Sequence, residues 1–173
     1  MAGYNDKLNA MRPYSLYTEG SLPVTVEEIK VVEAEIRCEL PPDYAELLLN
    51  YGCTAFHGYV IFRLAGATAR RETLNVLYGV KHGGGYDLLS NYRMYEGRMP
   101  SWLLPIAADP FGNQICLAIR GPGRGGMYFW DHEGEEEPPA NTEAGESNLS
   151  LISDSLDAFI SSLEFEDTGS PNI

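Results

Sequence analysis

Three short apolar runs follow one another in the second half of the chain. The turn-forming patches between them are Asp109–Asn113 and Gly121–Gly126, and the runs that they separate are Leu104–Ala108, Gln114–Ile119 and Met127–Asp131. Runs of this length, rich in β-branched and aromatic residues and bounded by Pro, Gly and Asn, are typical of strands joined by tight turns. The pattern therefore predicts three consecutive antiparallel strands.

Apolar residues at helical spacing lie before and after these strands. Thr25 and Glu28 fit a capping box, in which the Thr hydroxyl and the Glu carboxylate satisfy free backbone N–H groups at a helix start. The elbow Leu-Pro-Pro-Asp at Leu40–Asp43 separates two apolar stripes, and Ser153 or Ser155 can cap a final helix. These patterns predict helices over residues 25–37, 42–51 and 154–163.

Weaker patterns lie in the middle of the chain. Gly58–Arg63 and Leu74–Tyr78 favour strands, and Tyr86–Arg98 has helical character. Gly83–Gly85 predicts a flexible connection, and the acidic stretch Gly134–Asn148, rich in Pro and Gly, predicts a surface loop.

The length of 173 residues predicts one domain. We place this domain at residues 21–165, with the acidic stretch at 134–148 as an insert. Residues 1–20 show no clear period, so they are expected to form a loosely attached N-terminal arm. Residues 166–173 are expected to form a C-terminal tail.

The net charge of −13 is concentrated in the last quarter of the chain. All 12 Lys and Arg residues precede Asp131, whereas 12 of the 25 Asp and Glu residues lie at or beyond it. Because like charges repel, this asymmetry disfavours nucleic acid or an anionic membrane as the partner and favours a cationic one. The more common alternative is that acidic loops are simply solvated.

Features that the sequence lacks indicate the cellular compartment and the absence of a cofactor. No basic segment followed by an apolar run begins the chain, and no apolar run approaches the roughly 20 residues that span a bilayer. Cys38, Cys53 and Cys116 are odd in number and lie outside any C-x-x-C spacing, which is typical of reduced, buried thiols. We therefore expect a cytoplasmic protein with no membrane partner and no cofactor.

Four segments together resemble the SUKH superfamily, the Smi/Knr-like group. They span residues 24–163, and their order and spacing carry the resemblance more than any one motif does. Residues 64–100 carry no match, and the acidic insert is particular to this chain. The segments are V-T-V-E-E-I-K-V-V-E-A-E-I at Val24–Ile36, L-P-P-D-Y-A-E-L-L-L-N-Y-G at Leu40–Gly52, L-P-I-A-A-D-P-F-G-N-Q-I-C-L at Leu104–Leu117 with M-Y-F-W-D-H-E at Met127–Glu133, and S-L-D-A-F-I-S-S-L at Ser155–Leu163.

The resemblance implies an α+β fold with a mostly antiparallel sheet flanked by helices. It also implies a class of function, because bacterial members are often immunity proteins that bind and neutralise a polymorphic toxin, commonly a nuclease. Fungal relatives act as regulators in cell-wall signalling. We therefore expect a non-enzymatic binding protein that neutralises a cognate toxin domain, for which a basic nuclease is one candidate. The alternative is an interaction or scaffold module in a regulatory pathway.

Polar residues at the ends of the predicted strands are candidates for partner contact. Asp131 and Glu133 are expected to share a face at a strand end, with His132 pointing away, since alternate side chains point to opposite faces. The turn residues Asp109, Phe111 and Asn113 fit either ordinary turn chemistry or a partner-facing edge.

Tyr128 and Trp130 alternate with Met127 and Phe129, so one pair is expected to face the core. If Tyr128 and Trp130 face outward, they become interface anchors, whereas core packing is the more common fate of such residues. The residues that we expect to contact a partner are Asp109, Asn113, Tyr128, Trp130, Asp131 and Glu133.

The sequence shows no coherent set of catalytic or metal-binding residues. Asp131-His132-Glu133 would need further metal ligands from elsewhere, and Cys116 lies mid-strand, where a buried thiol is expected rather than a nucleophile. The glycine clusters Gly83–Gly85 and Gly121–Gly126 lack the patterns of phosphate-binding loops. The sequence therefore predicts a protein that is not an enzyme and holds no metal.

Overall fold

The computed structural model describes residues 4–17, 24–66, 70–80, 84–135, 142 and 144–170, which form an antiparallel sheet with helices packed against it. The α+β class expected from the sequence is therefore confirmed. The helices are α1 (Tyr4–Ala10), α2 (Val26–Ile36), α3 (Pro42–Tyr51), α4 (Leu88–Met94) and α5 (Leu156–Ser162), and the strands are β1 (Pro13–Ser15), β2 (Thr54–Arg63), β3 (Arg71–Leu77), β4 (Leu103–Ala108), β5 (Gln114–Ala118), β6 (Met127–Trp130), β7 (Leu149–Ser153) and β8 (Glu164–Asp167).

Strand order follows chain order from β1 to β7, and each neighbouring pair is antiparallel. The predicted run of three adjacent strands is confirmed, with Leu104 opposite Leu117 and Ile115 opposite Phe129. The last strand, β8, pairs with β2 on the edge that β1 also uses. Two short strands from opposite ends of the described chain thus complete one edge of β2.

The main core lies between the helices and one face of the sheet. Val32 of α2, Leu48 of α3 and Phe159 of α5 are buried against alternate residues of the strands. The ring of Phe62 lies 5.7 Å from Phe159 and 6.0 Å from Phe129, in tilted and edge-on geometries that favour aromatic pairs. The apolar stripes of the three predicted helices therefore pack on the sheet.

A second, smaller core lies on the opposite face of β4–β7. Cys116 and Trp130 are fully buried there, beneath Tyr95, Met99 and Trp102 from the segment that follows α4. Both faces of this part of the sheet are therefore covered, which explains why β5 carries apolar residues at consecutive positions rather than alternate ones.

Local signals place the helices where the sequence predicts them. The backbone N–H of Glu28 donates to the Thr25 hydroxyl at 3.2 Å, and the Thr25 N–H donates to the Glu28 carboxylate at 2.9 Å. Ser155 caps α5 by accepting from the Ala158 N–H at 3.1 Å. Gly52 follows α3 with a φ of −57°, and a Cβ there would lie 2.7 Å from the Leu48 carbonyl oxygen. Close approach, rather than a left-handed backbone, requires this glycine.

The described part of the N-terminal segment differs from the loose arm that we expected. Leu8 and Met11 are buried in the main core, and Pro13–Ser15 pairs with β2. Only a few apolar positions fall in this segment, so no period reveals them. Residues 1–3 and 18–20 of the expected arm lie outside the described residues.

The C-terminal quarter holds two strands that the sequence did not predict. Leu149–Ser153 follows the acidic insert directly, and Glu164–Asp167 extends into the expected tail at 166–173. Residues 136–141 and 143 of the insert, Gly83 of the expected flexible connection and residues 171–173 lie outside the described residues.

Candidate partner-binding rim

Two turns lie side by side at one end of the central strands. Gln114 begins β5 and pairs with Trp130, which ends β6, so the turn before β5 meets the turn after β6. We call this surface the rim: it comprises Asp109–Asn113, Asp131–Gly134 and Arg70. Arg70 reaches the rim because the β2–β3 hairpin curls towards β7, where the Ala65 N–H donates to the Leu151 carbonyl at 2.9 Å.

Asp109 holds the first turn from within. One carboxylate oxygen accepts from the backbone N–H groups of Phe111 and Asn113, each at 2.8 Å, and the other accepts from the Asn113 side-chain amide at 2.7 Å. The sequence correctly located Asp109 in the turn. Its side chain is only 4% exposed, so little of it is available to contact a partner. Hydrogen bonds of this kind, from N–H donors to a carboxylate, are among the stronger ones in proteins.

Asn113 joins the two turns. Because its amide nitrogen donates to Asp109, its amide oxygen faces the second turn and accepts from the His132 backbone N–H at 3.0 Å. The His132 Nδ1 lies 2.8 Å from the same oxygen, so Nδ1 carries the proton. His132 therefore points into the rim rather than away from it, and its ring lies over Gly112.

Asp131 and Glu133 do not alternate along a strand, as we had expected. Strand β6 ends at Trp130, and Asp131 caps a single 3₁₀ turn at His132–Gly134 by accepting from the Glu133 N–H at 3.1 Å. The sequence Asp-His-Glu-Gly favours this turn because Asp is a good cap. Glu133 is left exposed, and Asp131 is half-buried.

Arg70 connects two carboxylates at the rim. Its guanidinium pairs with Glu72 and with Asp131, the latter at 3.4 Å, and lies 5.7 Å from the centre of the Phe129 ring. Burial raises the pKa of the Glu72 carboxyl, and the guanidinium of Arg70 offsets part of this rise. The rim is therefore a mixed-charge surface in which one cation lies between two acids.

Tyr128 and Trp130 lie away from the exposed part of the rim. Trp130 is fully buried, with its ring 5.2 Å from that of Tyr95. Tyr128 is half-buried and lies edge-on to Trp102 at 5.1 Å, near the turn at Gly123 on the opposite end of β6. Their common face is covered by the segment after α4, which the strand pattern alone cannot reveal.

Comparison with known proteins places the chain in a family. A family model for SMI1 / KNR4 (SUKH-1) matches residues 23–162. This chain belongs to the SMI1 / KNR4 family. The SPbeta prophage-derived uncharacterized protein YokK of Bacillus subtilis (strain 168) is 27% identical over 154 residues, covering 80% of this chain and 74% of the relative. No solved structure matches the chain.

The SMI1 / KNR4 match includes the whole rim. The flanking elements α1, β1 and β8 lie outside residues 23–162. Among the described residues of this family member, no helix is long and apolar enough to cross a membrane. The same residues contain no group of three or more His, Cys, Asp or Glu side chains placed to hold a metal ion.

Phe111 is an exposed rim residue that our set of contact residues omitted. Its side chain is 76% exposed at the tip of the Asp109–Asn113 turn, more than any other large apolar residue in the described part of the chain. The signal was present in the sequence as an aromatic residue within a Pro-Phe-Gly turn. Turn residues rarely belong to a core, so an aromatic side chain at this position is expected to face outward.

Proposed function

We propose that this SMI1 / KNR4 family member is a bacterial immunity protein, which neutralises a cognate toxin domain by stoichiometric binding and without turnover. The observation that carries the proposal is the family match over residues 23–162. Cys116 supports the non-catalytic part, because its burial raises the pKa of the thiol and disfavours the nucleophilic thiolate.

The partner is a basic toxin domain, of which a nuclease is one chemical type. Support comes from the charge distribution, since no Lys or Arg follows Trp130 while 12 Asp and Glu residues do. An acidic surface accelerates encounter with a basic partner and occupies the groove that a polyanionic substrate would enter.

The rim provides the contact surface in this proposal. Glu133 and Asp131 carry its outward charge, whereas the buried Asp109, Asn113 and Trp130 support the surface from beneath. Tyr128 would join the contact only if the partner extends across Trp102 to the opposite end of β6.

Co-expression with a toxin domain, sought among the genes that neighbour this chain's gene, tests the proposal. We expect host cells to survive the toxin only when the chain is present, and calorimetry with an inactivated toxin domain to give near 1:1 binding. Association should slow markedly as salt rises above ~0.15 M, where the Debye length is roughly 8 Å. If no toxin is bound and no cell is protected, the protein is instead an interaction module.

A pair of charge variants locates the contact. Asp131→Asn with Glu133→Gln removes the two outward carboxylate charges of the rim and keeps both turn geometries, because Asn also caps. Glu143→Gln with Glu146→Gln makes the same change of charge in the acidic insert. We expect the rim variant to associate more slowly than the insert variant. The opposite order would place recognition in the insert.

A further inference from the structure

The most exposed large apolar side chain in the described part of the molecule is displayed by one of its most firmly held turns. Phe111 is 76% exposed, whereas Asp109 and Asn113 on either side are 4% and 6% exposed. An aromatic ring left in water contributes little to folding, while burial of a polar group is favourable only when its hydrogen bonds are made. Here the buried polar groups fix the backbone that carries the exposed ring.

The backbone around Phe111 is fixed on both sides. Its own N–H donates to the Asp109 carboxylate at 2.8 Å, and the following Gly112 adopts a φ of +98°, in the left-handed region that glycine tolerates. The Asp109 N–H donates to the Asn113 carbonyl at 3.1 Å and closes the turn. The second turn also stabilises this backbone, because His132 is hydrogen-bonded to the Asn113 side chain.

We propose that Phe111 is the anchor of the toxin interface and inserts into an apolar pocket of the partner that basic side chains surround. This inference rests on the proposed function and adds the chemistry of the contact. A turn whose backbone is already held in one conformation loses little backbone freedom on binding, which favours affinity. Aromatic residues at the centre of an interface commonly provide most of its binding energy.

Charge around the ring defines the partner. Glu133 is exposed in the neighbouring turn, and Asp131 begins that turn with one carboxylate oxygen directed to Arg70. Arg70 offsets the charge of Asp131, so Glu133 is the carboxylate that Lys or Arg side chains at the border of a Phe111 pocket would complement most. The same carboxylates repel an anionic lipid surface, which makes a membrane the less favourable occupant.

The test compares Phe111→Ala with Met94→Ala, a matched control because Met94 is also a large apolar residue, 55% exposed, on α4. The probe is the inactivated toxin domain against which the chain protects cells. We expect Phe111→Ala to weaken binding by roughly 30-fold or more, the size of an interface anchor, and Met94→Ala to leave it unchanged. Both variants should unfold at the wild-type denaturant concentration.

A conservative variant supplies a readout that does not depend on affinity. Phe111→Trp should bind like the wild type, and its added tryptophan emission should shift to shorter wavelength in the complex as the ring leaves water. Met94→Trp should show no such shift. An unshifted emission in the Phe111→Trp complex would show that the ring stays in solvent.

Other outcomes separate the two proposals. If the wild type binds the toxin and Phe111→Ala binds within ~3-fold of it, about 0.65 kcal/mol, the anchor is wrong while the immunity function stands. If the wild type binds no toxin, the function fails and the anchor with it. If Phe111→Ala instead dissociates a wild-type dimer in sedimentation, or abolishes binding to phosphatidylcholine vesicles, the occupant is a second copy or a membrane and the proposal is overturned.

Discussion

The side-chain amide of Asn113 donates to the carboxylate of Asp109 at 2.7 Å, and both groups are almost fully buried. This contact sets which way the Asn113 amide faces, and the amide oxygen then receives the N–H of the next turn. Two turns whose joined residues, Asn113 and His132, are 19 positions apart in the chain thereby become one surface.

Asp109→Ala should destabilise the protein by about 2–4 kcal/mol, because it leaves three N–H donors at a buried turn without their acceptor. Urea unfolding measures the change. Glu133→Ala is the control, since its exposed side chain should alter stability by no more than ~0.5 kcal/mol. Equal stabilities for the two variants would show that Asp109 does not organise the turn.

Leu48→Ala or Leu47→Ala should cost about 2–5 kcal/mol, the range for truncation of a large core residue. Both side chains are buried at the interface of α3 with the sheet. Val31→Ala on α2 serves as the matched control, because Val31 is 60% exposed and Ala favours a helix. A loss below ~0.5 kcal/mol for either Leu variant would contradict the assigned core.

Glu72→Gln should change the pH dependence of stability. Burial raises the pKa of Glu72 above its ordinary value of 4.5, so the folded protein holds a proton that the unfolded chain releases. The raised pKa of Glu72 therefore stabilises the wild type fully below pH 4.5, and this stabilisation is lost as pH rises through the raised pKa. The variant lacks this loss, so its stability relative to the wild type should increase with pH in urea titrations.

Glu135→Gln provides the opposite slope. The hydrogen bond from Arg98 lowers the pKa of Glu135 below 4.5, so the wild type gains stability that is complete above pH 4.5 and is lost as pH falls through the lowered pKa. The wild type should therefore lose its advantage over this variant in acid. Profiles of the two variants that run parallel to that of the wild type would contradict both assignments.

One thiol per folded chain should react with Ellman's reagent. Cys38 is half-exposed, whereas burial raises the pKa of Cys53 to about 12 and raises that of Cys116 well above its usual range. The thiolate is the reactive form, so the two buried thiols should remain inert until urea unfolds the protein. Cys38→Ser should abolish the fast reaction, and a fast phase that survives in this variant would show that a second thiol is accessible.

The sequence predicted the elements whose signals are local. The capping box at Thr25 and Glu28, the cap at Ser155 and the apolar runs of β4–β6 all act within a few residues, so their patterns are visible in the chain. It did not predict β8, whose acidic residues resemble a solvated tail. They instead pair with distant cations, as Glu164 does with Arg63 at 2.9 Å.

The turn at Asp109–Asn113 and the end of β6 were located by sequence, but their internal arrangement was not. Asp109 and Asn113 were correctly placed in a turn, yet their burial depends on His132 and on the neighbouring strand, which no spacing reveals. Trp130 alternates like an outward residue, and only the segment from Tyr95 to Trp102 buries it. Burial on the second face of a sheet is decided by distant chain, so patterns along one strand cannot settle it.

The shared edge of β2 has a consequence for the newly made protein on the ribosome. Gly58–Ile61 pairs with Glu164–Asp167, which is synthesised about 100 residues later, a delay of roughly 5–20 s at ordinary rates of translation. During that interval β3 can already pair with one edge of β2, but the edge that β8 later covers has no strand to bond and presents an open template to other nascent chains. Completion of the last acidic strand ends this exposure, so chains that terminate before Glu164 should be the ones that aggregate.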